Sequence, residues 1–335
     1  MDDHPPSEKQ KFLIIRFSSI GDIVLTTPIV RAIRNKFPYA EIDFLVKKEY
    51  QIVIESNPYI DQIHTYQKKD PSIITTLKDQ KYDYVIDLQK NKKSKQIISS
   101  LGVPFLTFHK QNIRKWFWVN FKINMLPIEH IVDRYFEGIK SLQIENDQLG
   151  LDFFIPEHNR FDTDDFPAVF EEGFVAVTLG SMHNTKRIPG DKIIEISKIL
   201  HKPMILLGGK DVVKEGELIA SQMSERIFNF CGKLDLYQSA SVLQMSSCVL
   251  ACDTGLMHIG AALQVPMAVL WGNTAPEFGM YPYMPQNKHL YRNFEITTLS
   301  CRPCSKLGYK KCPRRHFKCM LSLDNQDIAD FINQF

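Results

Sequence analysis

The chain has 335 residues, 44% of them hydrophobic, and a formal net charge of +3. That length suits two domains of ordinary size, each able to bury a core. No apolar run reaches the roughly 20 residues that span a bilayer, and the opening MDDHPPSEKQ lacks the apolar centre of a secretory signal, so a cytoplasmic protein is expected.

The first half alternates strand and helix patterns. KFLIIRF (11–17) is a short apolar, β-branched run, and Ser18-Ser19-Ile20-Gly21-Asp22 follows it. DIVLTTPIVRAIRNKFP (22–38) carries apolar residues at helical spacing and stops at Pro38. EIDFLV (41–46), IDQIHTY (60–66) and YDYVIDL (82–88) read as strands, with helical stretches near 47–56 and 70–80. This rhythm predicts a parallel sheet covered by helices on both faces. Between Leu88 and Ile128 there is no Asp or Glu, but there are Lys90, Lys92, Lys93, Lys95, Lys110, Arg114, Lys115 and Lys122. A local basic field favours an anionic partner, although a solvated helix face gives the same pattern.

Residues 156–173 are rich in Pro, Asp and Glu and break the rhythm, which places an interdomain linker there. The pattern then restarts. Strands are expected at FVAVTLG (174–180), PMILLGG (203–209), SSCVLAC (246–252) and PMAVLWG (266–272). Helices are expected at 191–200, 213–223 and 255–263. The predicted fold is α/β, with two Rossmann-like, doubly wound domains facing each other across a cleft. The domains span 10–160 and 173–335, the second carrying a Cys-rich segment at 301–319.

Three motifs follow strands, where ligands of open α/β sheets bind. In the first, Asp22 is placed to act as a general base. Position alone favours a humbler role as a first-turn acid that complements the helix dipole. This loop has one glycine, not the Gly-x-Gly-x-x-Gly that a dinucleotide needs, which argues against an oxidoreductase. In the second, Asp253-Thr254-Gly255-Leu256-Met257-His258 opens a helix whose first N–H groups and dipole suit a diphosphate. An ordinary capped turn with His258 satisfied inside the fold is the competing account. In the third, TLGSMHNTKRIP (178–189) presents Lys186 as a point charge for phosphate, or as a solvated surface lysine.

Of seven cysteines, Cys231, Cys248 and Cys252 lie among apolar residues and read as core. Cys301, Cys304, Cys312 and Cys319 cluster within a basic segment. Their density allows a structural zinc site; reduced buried thiols and disulfides are the alternatives.

RFSSIGDIVLTTPIVRAIRNKFP, HIVDRYFEGIKSL (130–142), KRIP (186–189), CGKLDLYQSASVL (231–243), DTGLMHIGAAL (253–263) and PMAVLWGNTAPE (266–277) together resemble glycosyltransferase family 9, the ADP-heptose:lipopolysaccharide heptosyltransferases. The resemblance implies a GT-B fold and inverting transfer with no cofactor and no catalytic metal. It implies that Asp22 is the base and that Lys186, Asp253, Thr254, Gly255 and His258 hold the nucleotide sugar, with Ser181 and Glu215 beside them. Leu234 would lie next to the adenine. The N-terminal domain would bind an anionic glycolipid acceptor through Ser19, Gly21, Lys92 and Lys93. Independently of the resemblance, HKQNIRKWFWVNFK (109–122) interleaves basic residues with Trp116, Phe117 and Trp118, which suits the inner membrane surface or an anionic acceptor, unless the aromatics are core; no nucleic-acid partner is expected. A related nucleotide-sugar epimerase and a non-catalytic binding module are the other readings. A basic acceptor surface argues against the first, and the presence of both Asp22 and Lys186 against the second.

Overall fold

The computed structural model describes residues 10–68, 70, 72–162 and 166–335. The opening polar segment before Gln10, Pro71 at the start of a predicted helix, and the centre of the predicted linker (163–165) lie outside the described residues. The chain divides into two compact units.

The first unit comprises residues up to Lys110 together with Ile131–Phe154. Its strands are β1 (Lys11–Ile15), β2 (Glu41–Lys47), β3 (Gln62–Tyr66), β4 (Tyr84–Asp87) and β5 (Phe105–Thr107), ordered β3-β2-β1-β4-β5 and all parallel. β1 is central, and Phe12, Leu13, Ile14 and Ile15 are fully buried. A strand covered on both faces is an unbroken apolar run, and this one is legible for that reason.

The single helix expected over 22–38 is two, Ile20–Val24 and Thr27–Lys36. Pro28 has no N–H to give the Val24 carbonyl, so the ladder breaks there. The freed Val24 carbonyl is met by Thr27 Oγ1 at 2.8 Å, and the Ile23 carbonyl accepts both the Thr26 N–H (2.9 Å) and Thr26 Oγ1 (2.7 Å).

The second unit comprises Gln111–His130 and Ile155–Phe335. Its strands are β6 (Val175–Thr178), β7 (Met204–Leu207), β8 (Ile227–Asn229), β9 (Cys248–Cys252), β10 (Met267–Leu270) and β11 (Tyr291–Phe294), parallel and ordered β11-β10-β9-β6-β7-β8. The helices Gly190–Ile199 and Asn325–Ile332 pack against each other and contribute to its core.

Two segments behave differently from their composition. The predicted linker carries Phe161, Phe166 and Phe170, which pack with Phe174, Phe228 and Phe230 at centroid distances such as 4.8 Å for Phe170–Phe228. Those rings tie it to the second unit. The segment 111–130, expected within the first domain, also packs on the second. Trp118 meets Phe278 edge-on at 5.1 Å, and Lys122 Nζ donates to the carbonyls of Pro303 (2.8 Å) and Cys301 (3.3 Å).

Candidate functional site

In both sheets the candidate side chains gather where the winding direction reverses, the place where open α/β sheets leave a crevice beyond the strand ends. In the first unit that point lies between β1 and β4. The chain leaves β1 through Arg16 and Ser18-Ser19 into the short helix Ile20–Val24. Asp22, in its first turn, is held on both oxygens. Arg16 Nη2 sits 2.5 Å from Oδ1, while Ser19 N–H and Oγ donate to Oδ2 at 3.1 and 2.9 Å. An ionised carboxylate has about four lone-pair positions, and the Asp22 side chain keeps 28% of its surface exposed. A further donor, such as an acceptor hydroxyl, therefore has an oxygen to approach. The helix-start contacts use Oδ2 and the Arg16 contact uses Oδ1, so a helix-start role does not by itself exclude a reactive one.

Arg16 is itself buried. It donates to Ser18 O at 3.1 Å, to Tyr135 Oη at 3.2 Å and to Leu88 O. Burial works against its charge, but Asp22, Tyr135 and Asp87 outweigh burial and raise its pKa above the ordinary value. It is a permanent cation that fixes the Asp22 carboxylate in one orientation. Sequence reasoning missed it; its placement two residues before the Ser-Ser turn was the available signal.

Phe17 N donates to Gln89 Oε1 at 2.8 Å, which links this loop to the one after β4. That second loop leads into the helix Lys92–Leu101, capped by Asn91, whose side chain accepts from Lys93 N and Ser94 N. Lys92 and Lys93 are exposed at its first turn, and Lys93 Nζ lies 5.4 Å from the centre of the Tyr66 ring. Ser19, Lys92 and Lys93 thus share one edge of the sheet. Gly21 is buried and contributes through its backbone: its carbonyl accepts from Leu25 N at 2.9 Å.

In the second unit the reversal lies between β6 and β9. The loop after β6 carries Ser181 and Lys186, and the one after β9 carries Asp253 and Thr254. Lys186 Nζ and Asp253 Oδ2 are 2.6 Å apart, and each side chain is 15% exposed. Thr254 caps the helix Gly255–Ala262 by accepting from Met257 N at 3.2 Å. Thr254 Oγ1 also lies 3.5 Å from Thr178 Oγ1. Asp253 balances the lysine charge in this structure, so a diphosphate arriving at the helix start would compete with Asp253 for Lys186 and gain the helix dipole. His258, one turn further on, is buried at 2% exposure.

Arg187 organises the surrounding residues. Its Nε donates to Ser181 O (3.0 Å), Nη1 to Glu215 (3.2 Å) and Nη2 to Asp211 (3.1 Å). Ser181 and Glu215 are therefore joined through one guanidinium that sequence reasoning did not single out. Leu234 lies in the turn after β8, the strand at the edge of the sheet, with β7 and β6 between that strand and β9, which leads into the Asp253 loop. Two residues after β10 join the site unannounced. Thr274 Oγ1 donates to Asp253 at 3.4 Å. Asn273 is 2% exposed, and neither of its amide atoms has a partner among the described residues.

The four clustered cysteines do not assemble as a zinc cage. Among the described residues, no three His, Cys, Asp or Glu side chains converge on a common point. Cys304 Sγ turns to the Cys301 carbonyl at 3.0 Å, and Cys301 Sγ faces His316 Nε2 at 3.8 Å. Burial first, and then the neighbouring cluster cysteines, push the Cys319 thiol up to about 12 and the Cys304 thiol up to about 11, so the thiols lie near one another although no three converge among the described residues. The donor chemistry suits zinc, whereas the observed directions of the Cys301 and Cys304 thiols do not make a ligand set. The segment has a different visible task. Arg302, 9% exposed, donates to Gly272 O and Thr274 O at 2.8 Å, and Cys304 N donates to Asn273 O at 3.0 Å. It braces the loop after β10 that touches Asp253.

The model of glycosyltransferase family 9 (heptosyltransferase) matches residues 71–310. Lipopolysaccharide heptosyltransferase 1 of Campylobacter coli is 23% identical over 300 residues, 79% of this chain and 84% of its own length. The structure of E. coli ADP-heptose lipopolysaccharide heptosyltransferase II superposes with a TM-score of 0.73 at 18% identity, covering 97% of this chain and 98% of that one. The E. coli heptosyltransferase WaaC with ADP gives 0.63 at 22% identity, covering 80% and 89%. The α/β fold with two parallel sheets is of the GT-B class.

Proposed function

Because the chain belongs to glycosyltransferase family 9 and is a glycosyltransferase, we propose that it transfers a heptosyl group from ADP-heptose to a hydroxyl of the lipopolysaccharide core, inverting the anomeric centre without a metal. The observation that carries this reading is the Lys186–Asp253 pair at 2.6 Å beside the start of the helix Gly255–Ala262. The names of the relatives supply the sugar and the acceptor class.

In the proposed reaction the acceptor oxygen forms a bond to the anomeric carbon as the bond from that carbon to the diphosphate oxygen breaks. The hydroxyl proton passes to Asp22, and the electron pair of the broken bond leaves with ADP. A single displacement of this kind inverts configuration. Lys186 and the helix start meet the charge growing on the departing diphosphate. Arg16 and Ser19 orient Asp22 and do not themselves touch the sugar. The test is product analysis with defined donors, described at the end of the Discussion.

The same reading places the protein at the cytoplasmic face of the inner membrane, where a glycolipid acceptor is anchored. Among the described residues, no helix is long and apolar enough to cross a membrane. Surface attachment is supported by the helix Asn112–Phe121, none of whose residues is buried. Ile113, Trp116 and Phe121 are 74%, 54% and 57% exposed. Ile123, Met125 and Ile128 continue the apolar face past its end. Aromatic side chains flanked by Arg114 and Lys115 suit the interface of an anionic bilayer. Burying a large apolar side chain is worth about 1.5–3 kcal/mol. Trp116→Ser with Phe121→Ser should therefore cut co-sedimentation with vesicles containing phosphatidylglycerol by about tenfold or more. Replacing Lys110, Arg114, Lys115 and Lys122 by Ser should weaken binding to these vesicles and leave neutral phosphatidylcholine vesicles unaffected. Equal binding by wild type and both variants would remove the membrane role.

A further inference from the structure

From Ile296 to Leu323 there is no Asp or Glu, although the segment carries Lys306, Lys310, Lys311, Arg314, Arg315 and Lys318 besides the braced Arg302. Part of this charge lines a cavity. A pocket of about 340 Å³ lies in the second unit between the turn Asn184–Lys186 and the Cys-rich segment, with Lys310, Lys311, Cys312 and Arg315 on its lining beside Asn184, Thr185 and Phe317. That volume is in the range of small-ligand sites. No carboxylate pairs with the three cations among the described residues, unlike Arg187 and Lys186 nearby.

The walls are fixed. Thr185 Oγ1 accepts from Tyr309 N at 2.8 Å and donates to Tyr309 O at 3.1 Å, so the loop is stapled to the turn. Gly308, at φ +125°, allows that approach: a Cβ there would stand 2.4 Å from His183 Cβ. On the other side Arg315 and Phe317 hold φ values of +58° and +43°, a left-handed region that side chains other than Gly, Asn and Asp rarely adopt. Such conformations collect at ligand clamps. Lys310, Lys311 and Arg315 are exposed and line one pocket, where like charges repel one another, and a surface without function usually intersperses carboxylates among them.

We propose that this pocket is a second anion site, separate from the nucleotide site, that takes a phosphoryl group through Lys310, Lys311 and Arg315, with Asn184 as a neutral donor. Arg supplies a fork for two phosphate oxygens and the lysines supply point charges. The site is distinct from the donor contacts because Lys186, on the same turn, directs its amine to Asp253. The phosphoryl group comes either from a phosphorylated sugar of a glycan or from a lipid headgroup.

The probes are inorganic phosphate, glucose 1-phosphate, and phosphatidylcholine vesicles with and without phosphatidic acid, applied to the full chain. Calorimetry should show saturable binding of inorganic phosphate that saturating ADP does not displace. A variant with Lys310→Ser, Lys311→Ser and Arg315→Ser should lose about tenfold or more in phosphate affinity while melting as wild type and binding ADP unchanged. Lys186→Ala should keep it. Tighter binding of glucose 1-phosphate than of phosphate, lost in the triple variant, assigns the site to a sugar phosphate. Loss in the triple variant of the extra sedimentation given by phosphatidic acid assigns it to a headgroup, and this arm is independent of Trp116 and Phe121. Displacement of phosphate by ADP, retention of phosphate in the triple variant, or no phosphate binding at all would each overturn the proposal. A triple variant that fails to fold would be replaced by Lys310→Gln with Lys311→Gln, read by the same ADP-insensitive phosphate affinity.

Discussion

Asp22→Asn is expected to lose on the order of 10²-fold or more in kcat, because a positioned base contributes about 10²–10⁴-fold. The acceptor hydroxyl is too weak an acid to attack unaided, so its proton must leave as the new bond forms. An amide nitrogen cannot take that proton, and the amide oxygen is a far poorer base than a carboxylate. The structure also assigns a stability effect to this variant. Asp22 holds Arg16 through one oxygen and Ser19 through the other, and Asn can keep only one of these. Losing a charge-assisted bond costs about 1.5–3 kcal/mol, which lowers the melting temperature by several degrees for a unit of this size. Arg16 retains Ser18, Leu88 and Tyr135 as partners, so the unit still folds. Turnover is therefore measured well below both melting transitions, with donor affinity measured alongside. Activity within about threefold of wild type would reject the base role and leave Asp22 as a helix-start acid.

Lys186→Ala should weaken donor binding by about tenfold or more, since it removes a charge-assisted contact worth about 1.5–3 kcal/mol. The loss has two sources. The diphosphate forfeits its cation, and Asp253 is left as an uncompensated carboxylate beside the same anion. Removing Asp253 in the Lys186→Ala background should then recover part of the affinity, whereas two independent donor contacts would simply add. That non-additivity is the signature of two residues acting as a unit. Calorimetry with ADP on the two single variants and the double variant measures it. Unchanged affinity in both single variants would detach the pair from the donor.

The central strands and all three loop motifs were legible in the sequence, and for a physical reason. β1, β6, β9 and β10 are covered on both faces and stand out as apolar runs, and polar groups concentrated at their ends stand out by contrast. The missed strands, β5, β8 and β11, are all sheet edges of three or four residues. Phe105 and Arg292 on them face solvent, so no run or alternation marks them. β3, also an edge, was legible because its apolar and polar residues alternate.

Partnership between distant residues was the larger gap. Lys186 was found without its contact to Asp253, because side-chain pairing across 67 residues leaves no local pattern, and Asp22 without Arg16, because a buried arginine at a strand end reads like any surface cation. The spacing of the four cysteines suggested a metal; three-dimensional placement turned their thiols toward a carbonyl and a histidine instead. The basic, aromatic stretch at 109–122 was visible as composition, but its attachment to the second unit depends on Phe278 and Pro303, far along the chain.

The central claim is heptosyl transfer, and mass spectrometry of reaction products tests it most directly. The full chain is incubated with a heptose-deficient lipopolysaccharide core acceptor and, in parallel, with ADP-heptose, ADP-glucose and UDP-glucose. The account predicts a core glycan heavier by a single heptosyl residue with ADP-heptose alone, an equal amount of ADP released, and neither product with Asp22→Asn above a trace. Transfer from a different nucleotide sugar would replace the donor. Conversion of ADP-heptose to an isomer without acceptor, or no glycan product from any donor, would contradict the account.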